Sequence, residues 1–217
     1  MKHKSYNQFC GLAFALDVVG ERWTLLMIRE LLTGPRRFKD LLDGLPDVST
    51  NLLTERLKYL EEQGIVVRRT LPPPAASTVY ELTPLGQGLE KAVIELGKWG
   101  SQFLPQSLEG LALPSLGTTA LAIKAFFQPQ QAAAIDDIFE LHLGSDVLQI
   151  YVKDGGLQVQ QGQLLKPDVI LRTEMPVFMG LFSGQIAPDE AIAAGMVQVE
   201  GDAEALHRLL TLSRVTG

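Results

Sequence analysis

Apolar residues recur at helical spacing through the first part of the chain. Leu53, Leu57 and Leu60 follow one another at intervals of four and three residues, which places them on one side of an α-helix. Ser49 precedes this segment as an N-terminal cap, and Gly64 follows it as a terminator. The same criteria predict helices over residues 10–19, 23–33, 38–43 and 50–63.

Two short β-branched segments follow the last of these helices. Residues 65–71 and 78–82 predict strands, and the proline-rich residues 72–76 predict a loop, because proline cannot occupy the interior of a sheet. Thr83 and Pro84 begin a further helix that is predicted to run to about Leu104. Helices followed by strand, loop, strand and helix indicate a winged helix-turn-helix domain.

The second part of the chain shows the period-two alternation of β-strands. Residues 105–117 contain prolines and glycines and predict a connector. After a helix beginning near Thr118, the pattern predicts strands over 136–143, 147–152, 157–161, 169–172 and 196–200, and helices over 176–182, from 188 to near Gly195, and over 203–212. We therefore expect an α+β protein with domains at 1–104 and 118–217 and a linker at 105–117.

Charge divides unevenly between these two parts. The 217 residues carry a formal net charge of −6. Residues 1–104 hold 13 lysines and arginines against 12 acidic residues, whereas residues 105–217 hold 6 against 13, so the net charges are +1 and −7. A polyanion-binding surface is therefore expected in the first part, and the second part would repel a polyanion.

The sequence lacks the residues that several classes of protein require for their function. A single cysteine, Cys10, excludes a disulfide framework and paired-cysteine zinc sites. The histidines His3, His142 and His207 are widely spaced and form no metal-ligand motif. Motifs typical of serine hydrolases, P-loop proteins, dinucleotide-binding proteins and zinc proteases are also missing. We therefore expect no enzyme activity, no cofactor and no metal site.

The N-terminal residues have some but not all of the features of a secretory signal peptide. The apolar residues 9–16 follow basic residues, but Asp17 ends the run and a helical pattern continues. No apolar run approaches the roughly 18 residues of a membrane span. We therefore expect a cytoplasmic protein with no membrane partner.

Polar residues occupy the side of the predicted 50–63 helix that lies opposite the leucines. Asn51, Glu55 and Lys58 fall there at about 100° per residue, with Thr54 at the edge. Short polar side chains near a helix N-terminus suit the major groove of DNA, and the arginine pairs at 36–37 and 68–69 suit phosphate contacts. Each residue taken singly also fits an ordinary cap or solvated surface. The predicted DNA contacts are Arg36, Arg37, Ser49, Thr50, Asn51, Thr54, Lys58, Arg68 and Arg69.

Residues 8–104 resemble the HxlR family of bacterial winged-helix regulators. The resemblance rests mainly on residues 23–32, 53–57 and 80–86 and on the pair Trp99-Gly100, which occur in the family's order. It implies a transcriptional regulator that binds double-stranded DNA as a homodimer. It also implies that residues 9–19 and 89–104 pack across the two-fold axis, with recognition helices at half-sites about 34 Å apart.

Cys10 occupies a position at which members of this family often carry a cysteine, and some members use it to sense oxidising or thiol-reactive compounds. This sequence has no second cysteine, and Gly11 stands where the family usually has proline. A redox role would therefore need a disulfide between two Cys10 residues or a mixed disulfide. The alternative is a buried structural residue, since cysteine is among the most buried residue types.

Residues of about 118–214 resemble the sterol-carrier-protein lipid-binding fold. The resemblance rests on residues 167–169, 179–184 and 191–206, above all on the run from Gly195 to Asp202 and the leucine-rich segment after it. It implies a five-stranded sheet with helices around an apolar tunnel for a fatty-acyl or sterol-like ligand. Candidate lining residues are Phe126, Phe127, Phe139, Phe178, Phe182 and Met196. The alternative is that these side chains fill an ordinary core.

Two functions are compatible with the sequence. The first is a homodimeric DNA-binding regulator whose second domain binds an apolar effector. The second is a lipid-binding or carrier module whose helical part serves only for dimerisation. Salt-dependent binding to duplex DNA distinguishes them, because only the first function requires phosphate contacts by Arg68 and Arg69.

Overall fold

The computed structural model describes residues 5–72, 76–105, 110–133, 135–202 and 204–213. The first group of elements consists of helices and one pair of strands, and its core contains the fully buried side chains of Met27, Ile28, Leu31 and Leu41. In chain order the elements are α1 (Gly11–Val19), α2 (Thr24–Leu31), α3 (Phe38–Asp43), α4 (Thr50–Glu62), β1 (Val66–Thr70), β2 (Thr78–Leu82), α5 (Pro84–Gln87) and α6 (Glu90–Ser101). This order confirms the predicted winged helix-turn-helix.

We call the antiparallel pair of β1 and β2 the wing; Arg36 extends it by one further residue. Strand β1 pairs with β2 from Val66 opposite Leu82 to Thr70 opposite Thr78. Arg36 adds a bridge on β2, since its N–H donates to the Tyr80 carbonyl at 2.9 Å and its carbonyl accepts from the Tyr80 N–H at 2.7 Å. Part of the predicted loop at 72–76 lies outside the described residues.

The helix predicted from Pro84 to Leu104 is wrong in its continuity and in its end. The Thr83 hydroxyl caps α5, but α5 ends at the C-cap Gly88, and α6 begins at Glu90. The Leu89 N–H donates to the Gly86 carbonyl at 3.1 Å, a tight turn that interrupts the α-helical pattern. At the other end, the Phe103 N–H donates to the Gly100 carbonyl at 3.0 Å, so the chain leaves the α-helix after Ser101.

The second group of elements is built on one mixed sheet. In chain order they are α7 (Leu116–Ala125), α8 (Pro129–Ala132), β3 (Asp137–Leu143), β4 (Asp146–Lys153), β5 (Gly156–Gln161), β6 (Val169–Thr173), α9 (Met175–Ser183), α10 (Pro188–Ala193), β7 (Val197–Glu200) and α11 (Ala205–Ser213). The five strands take the order β5-β4-β3-β6-β7, and only the β3–β6 pair is parallel. The α+β class and the five-stranded sheet are therefore confirmed.

The β4–β5 hairpin follows directly from its turn sequence. Asp154 and Gly155 have φ angles of +50° and +72°, so both central residues of the turn are left-handed. A two-residue turn with that geometry matches the twist of the strands, and Asp-Gly is a favoured sequence for it. The turn fixes Lys153 opposite Gly156 and thereby sets the register of the pair.

The two faces of the sheet differ in character. On β3, Phe139, Leu141 and Leu143 are buried and point to the core, where they join Phe178, Leu181 and the leucines of α11. Glu140 and His142 alternate with them and therefore point to the opposite face. The core of this part of the chain thus lies between one face of the sheet and the helices α7, α9 and α11.

The chain divides into two compact units between Val93 and Ile94, within α6. We call these the first unit and the second unit. The sequence placed the end of the first domain at 104, after this division. The later part of α6 approaches α7 of the second unit at Gly97, where a Cβ would lie 3.3 Å from Leu121 Cδ2. No helix among the described residues is long and apolar enough to cross a bilayer.

Candidate nucleic-acid interface and effector cavity

Helix α4 separates an apolar side from a polar side. Leu53, Leu57 and Leu60 are 0%, 1% and 0% exposed, so they fix the helix to the core of the first unit. Asn51, Thr54, Glu55 and Lys58 are exposed. The arrangement is the one predicted from the leucine spacing. We call the exposed residues Ser49, Thr50, Asn51, Thr54 and Lys58 the recognition face.

The N-terminal turn of α4 is closed by its own side chains. Ser49 Oγ accepts a hydrogen bond from the Leu52 N–H at 3.2 Å. The Thr54 hydroxyl donates to the Thr50 carbonyl at 2.8 Å. Lys58 Nζ lies 4.0 Å from Glu62 Oε1, with 76% of its side chain exposed. These contacts are local to α4, so the recognition face remains open to solvent in the single chain.

The prediction that Arg36 contacts DNA is wrong, because the structure buries its side chain. Its backbone pairs with Tyr80, and its side chain turns inward, leaving the residue 8% exposed. Arg36 Nη2 donates to Thr33 Oγ1 at 3.1 Å and lies 3.9 Å from a carboxylate oxygen of Glu30, which is itself 1% exposed. A buried carboxylate needs charged or hydrogen-bonding partners, and Arg36 supplies them together with Arg29. Arg36 therefore holds α2 to the wing instead of facing solvent.

The other three predicted arginines are exposed. Arg37 precedes α3, and its N–H donates to an Asp40 carboxylate oxygen at 3.0 Å. Arg68 and Arg69 lie side by side on β1 and therefore point to opposite faces of the wing. Arg69 Nη2 lies 2.7 Å from Glu81 Oε2, with 54% of its side chain exposed. Arg37, Arg68 and Arg69 stay candidates for phosphate contacts.

Two residues that position α4 escaped the sequence analysis. Arg56 is 6% exposed, and its Nη2 donates to Glu21 Oε2 at 3.1 Å, in the turn between α1 and α2. The Tyr59 hydroxyl donates to the Asp17 carbonyl at 3.3 Å. The sequence does contain a signal for the role of Arg56, since it is a charged residue on the apolar side of the helix. A buried arginine needs a partner, so such a residue indicates an ion pair with another element. Only the fold could show that the partner is Glu21.

Cys10 is exposed, so its interpretation as a buried structural residue is wrong for the single chain. It stands at the N-terminus of α1, where its N–H donates to the Gln8 carbonyl at 2.8 Å. In the described part of the chain, no three histidine, cysteine or acidic side chains lie together as metal ligands.

The predicted ligand-lining residues fall into different environments. Phe178 and Phe182 are neighbours on α9 with ring centroids 5.8 Å apart, and Phe126 lies 6.3 Å from Phe182. Phe139 is fully buried in the sheet, and Phe127 packs against the edge of the core. Met196 is 39% exposed just before β7. Three of the six therefore form one aromatic cluster, and the others lie elsewhere.

A cavity of about 280 Å³ opens at a different place in the second unit. We call it the α9–α11 cavity. Its lining residues are Leu181, Gly184, Ile186, Ala187, Pro188, His207, Leu210 and Thr211. None of the six predicted residues lines it. At its edge, His207 Nε2 lies 2.9 Å from Asp189 Oδ1.

A buried acid–imidazole pair lies on the other face of the sheet. His142 Nε2 is 2.6 Å from Glu140 Oε1, and the Leu164 N–H donates to Glu140 Oε2 at 2.6 Å. Burial acts to raise the pKa of Glu140, but the hydrogen bonds from Leu164 and His142 and the nearby Arg172 outweigh it, so that pKa lies below its ordinary value. This carboxylate ties the segment between β5 and β6 to the sheet.

In comparison with known proteins, the two parts of the chain match two different family models. Residues 18–108 match the model of the HxlR-like helix-turn-helix family, and residues 122–213 match that of the SCP-2 sterol transfer family. The HTH-type transcriptional regulator YodB of Bacillus subtilis is 39% identical over 98 residues, which are 45% of this chain and 88% of YodB. YvaP of the same organism, also an HTH-type transcriptional regulator, is 36% identical over 93 residues, 43% of this chain and 86% of YvaP.

Solved structures of such regulators also match less than half of this chain. The reduced form of YodB from B. subtilis is 36% identical, covers 46% of this chain and 99% of its own, and has a TM-score of 0.40. The redox regulator HypR in its oxidized form is 31% identical, covers 43% of this chain and 96% of its own, and has a TM-score of 0.40. Because the chain contains a winged helix-turn-helix and matches such relatives over most of their length, it belongs to the HxlR-like helix-turn-helix family of transcriptional regulators, and its residues 122–213 are similar to the SCP-2 sterol transfer family.

Proposed function

We propose that this regulator binds DNA as a homodimer by inserting the recognition face of α4 into the major groove. The observation that carries the proposal is the exposure of Ser49, Thr50, Asn51, Thr54 and Lys58 on a helix whose opposite side is anchored by three buried leucines. A rigidly anchored helix with short polar side chains at its N-terminal end suits direct contact with base edges.

Phosphate contacts are assigned to Arg37, Arg68 and Arg69. All three are exposed, and they lie before α3 and on the wing, on elements that flank α4 in the chain. Arginine forms strong, often bidentate, hydrogen bonds with phosphate oxygens. The ion pair between Arg69 and Glu81 is exposed and therefore weak, so it does not prevent Arg69 from binding a phosphate.

The homodimer is supported by apolar side chains that α1 and α6 leave in solvent. Leu12 and Leu16 are 68% and 37% exposed one helical turn apart on α1, and Phe9, just before that helix, is 105% exposed. Leu96, Trp99 and Phe103 are 50%, 60% and 69% exposed at similar spacing on and after α6. Several large apolar side chains exposed on one element favour an interface with another protein surface, and each of these two elements carries such a group.

The second unit is assigned the role of an effector-binding domain. Its SCP-2 match and the α9–α11 cavity support an apolar or amphipathic small-molecule effector. An effector changes DNA affinity only if it binds the DNA-competent and DNA-incompetent arrangements with different free energies. The proposal therefore requires that a bound effector shift the affinity for DNA measurably in either direction.

The DNA assignment is tested by fluorescence anisotropy with a duplex selected from a random pool and with an unrelated duplex. The double variant Arg68→Ala/Arg69→Ala should weaken binding to both and lower the slope of log affinity against log salt by about 2 per protomer. Lys166→Ala, which removes an exposed charge of the second unit, is the matched control and should leave the slope unchanged. An unchanged slope in the double variant would contradict the wing assignment.

Base contact is tested separately on α4. Asn51→Ala should cost about 1–3 kcal/mol on the selected duplex and leave binding to the unrelated duplex almost unaltered. Gln63, an exposed amide just after the other end of α4, provides the control variant Gln63→Ala. Equal losses for the two variants would show that the N-terminal part of the recognition face does not read bases.

Dimerisation is tested by sedimentation equilibrium. Leu12→Ser and Trp99→Ser each remove an exposed apolar side chain and should raise the dimer dissociation constant without lowering the melting temperature of the monomer. Leu165→Ser, at a 102% exposed leucine of the second unit, should leave the dissociation constant unchanged. A wild-type protein that remains monomeric at micromolar concentration would contradict the dimer.

A further inference from the structure

We propose that Glu55 determines sequence specificity on the DNA-binding surface: its carboxylate accepts a hydrogen bond from the amino group of a cytosine and disfavours duplexes without that base. The inference rests on the proposed insertion of α4 into the major groove and names a base that α4 reads there. It is carried by the position of Glu55 on α4, by the contacts of the polar residues beside it, and by the chemistry of base edges.

Glu55 lies in the middle of the exposed side of α4. Helical periodicity places it about 160° around the helix from Leu53 and from Leu57, which are buried in the core of the first unit. Asn51 and Lys58 are one turn before it and one turn after it, and both are exposed. The Glu55 side chain is therefore directed away from the core, between two residues of the recognition face.

The polar side chains beside Glu55 are directed to other partners. Lys58 Nζ lies 4.0 Å from Oε1 of Glu62, so the lysine is directed toward the C-terminal end of α4. The Thr54 hydroxyl donates to the Thr50 carbonyl at 2.8 Å. The Glu55 side chain forms no hydrogen bond or ion pair with any residue that the structure describes. An unpaired carboxylate thus lies at the centre of the surface that meets a polyanion in the proposed complex.

A carboxylate in this position opposes binding to DNA of arbitrary sequence. Phosphate groups line both edges of the major groove, and like charges repel one another more strongly where water is excluded between them. Glu55 therefore lowers the affinity for every duplex, and the loss is recovered only where the carboxylate gains a hydrogen bond. A residue with this pair of effects increases the ratio of specific to non-specific binding.

The carboxylate distinguishes the bases because, when ionised, it accepts hydrogen bonds and donates none. In the major groove, cytosine offers its N4 amino group, whereas thymine offers the O4 acceptor and guanine offers the acceptors O6 and N7. Adenine also has an amino group, but the N7 acceptor beside it repels a carboxylate. Cytosine is therefore the base that Glu55 favours.

The first test compares the duplexes that the wild type, Glu55→Gln and Glu62→Gln select from a random pool. Because the glutamine amide both donates and accepts, Glu55→Gln should replace a cytosine preference at one position of each half-site with similar acceptance of cytosine and thymine. Glu62→Gln removes a carboxylate from the same side of α4, about 10 Å further along the helix, and should leave every base preference unchanged. Identical base preferences in Glu55→Gln and the wild type would overturn the proposal.

The second test measures affinity by fluorescence anisotropy for the selected duplex, for its version with that cytosine–guanine pair changed to thymine–adenine, and for an unrelated duplex. The wild type and Glu62→Gln should bind the selected duplex about tenfold more tightly than the changed one, a difference of about 1.4 kcal/mol. In Glu55→Gln this ratio should fall to about one. Glu55→Gln should also bind the unrelated duplex severalfold more tightly than the wild type, because the repulsion from phosphates is removed.

The remaining outcomes separate this inference from the proposed function. Equal tightening of all three duplexes by Glu55→Gln would show that Glu55 acts through its charge alone, and the contact with cytosine would be wrong. Unchanged affinities for Glu55→Gln, together with a lowered salt slope for Arg68→Ala/Arg69→Ala, would exclude Glu55 from the interface while DNA binding stands. A lowered melting temperature with weaker binding to all three duplexes would assign Glu55 a structural role instead. A wild type that binds no duplex would contradict both proposals.

Discussion

The first unit presents its candidate binding residues on the outside of one helix, whereas the second unit encloses its candidate site between three segments that are distant in the chain. The recognition face belongs to α4 alone and is ordered by helical periodicity. The α9–α11 cavity takes residues from the end of α9, from the loop and start of α10, and from α11. A binding surface on a single element can be located from local spacing, but a cavity exists only after the elements have packed.

The two units also use buried charge differently. In the first unit, Arg36 and Arg56 are buried and connect α2 to the wing and α4 to the α1–α2 turn. In the second unit, the buried Glu140 holds a loop against the sheet. Buried charges in the first unit therefore fix the wing and α4 to their neighbours, and the one in the second unit stabilises a connection away from the cavity.

The largest expected effect comes from a matched pair of core truncations. Leu57→Ala and Leu141→Ala each remove a leucine that is 1% exposed, and each should cost about 2–5 kcal/mol. If the units are stabilised separately, Leu57→Ala should accelerate hydrogen exchange in the first unit and abolish DNA binding, while exchange in the second unit keeps its wild-type rate. Leu141→Ala should accelerate exchange in the second unit. Equal acceleration of both units by either variant would contradict their separate stability.

A smaller effect is expected for Arg36→Ala, which separates structural from DNA-binding arginines. Its removal leaves the buried Glu30 with one charged partner fewer and should cost about 1–3 kcal/mol of stability. The salt slope of DNA binding should stay at the wild-type value, in contrast to Arg68→Ala. The comparison is made by thermal unfolding together with salt titrations, and a reduced slope for Arg36→Ala would return Arg36 to the interface.

Two serine caps test whether equal stability losses have unequal functional consequences. Ser49 Oγ accepts from the Leu52 N–H at 3.2 Å, and Ser115 Oγ accepts from the Thr118 N–H at 3.1 Å. Alanine at either position should cost about 1 kcal/mol by loss of the cap. Only Ser49→Ala should weaken DNA binding, measured at a temperature where both variants are folded. A similar loss of affinity for Ser115→Ala would point to coupling between the units.

The smallest effect concerns the pH dependence of Glu140→Gln. The pKa of Glu140 is lowered in the folded protein, so its ionised form adds stability that is fully present above the unfolded pKa of about 4.3 and is lost as the pH falls through the folded pKa. Glu140→Gln should therefore be less stable than the wild type at pH 7, and the difference should shrink below about pH 4.3. Denaturant titrations at several pH values measure it, and a difference that grows with acidity would contradict the assignment.

Much of this fold followed from local pattern. The leucine spacing of α4 and the alternation of β3 each act over a few residues, and both predictions are confirmed. The continuous helix after Pro84 was wrong, because a turn at Gly88 and Leu89 interrupts it. The predicted aromatic lining was drawn from residue type alone, and the α9–α11 cavity is lined by other residues.

The sequence by itself determined the resemblance to two families, the order of the elements and which side of α4 is polar, because helical and strand periodicities are properties of neighbouring residues. Only the tertiary structure decided that Arg36 is buried while Arg37 is exposed, since that depends on the pairing of Arg36 with Tyr80. It also decided that His207 meets Asp189 at the edge of a cavity. Such contacts join residues far apart in the chain, and their distances are set by packing.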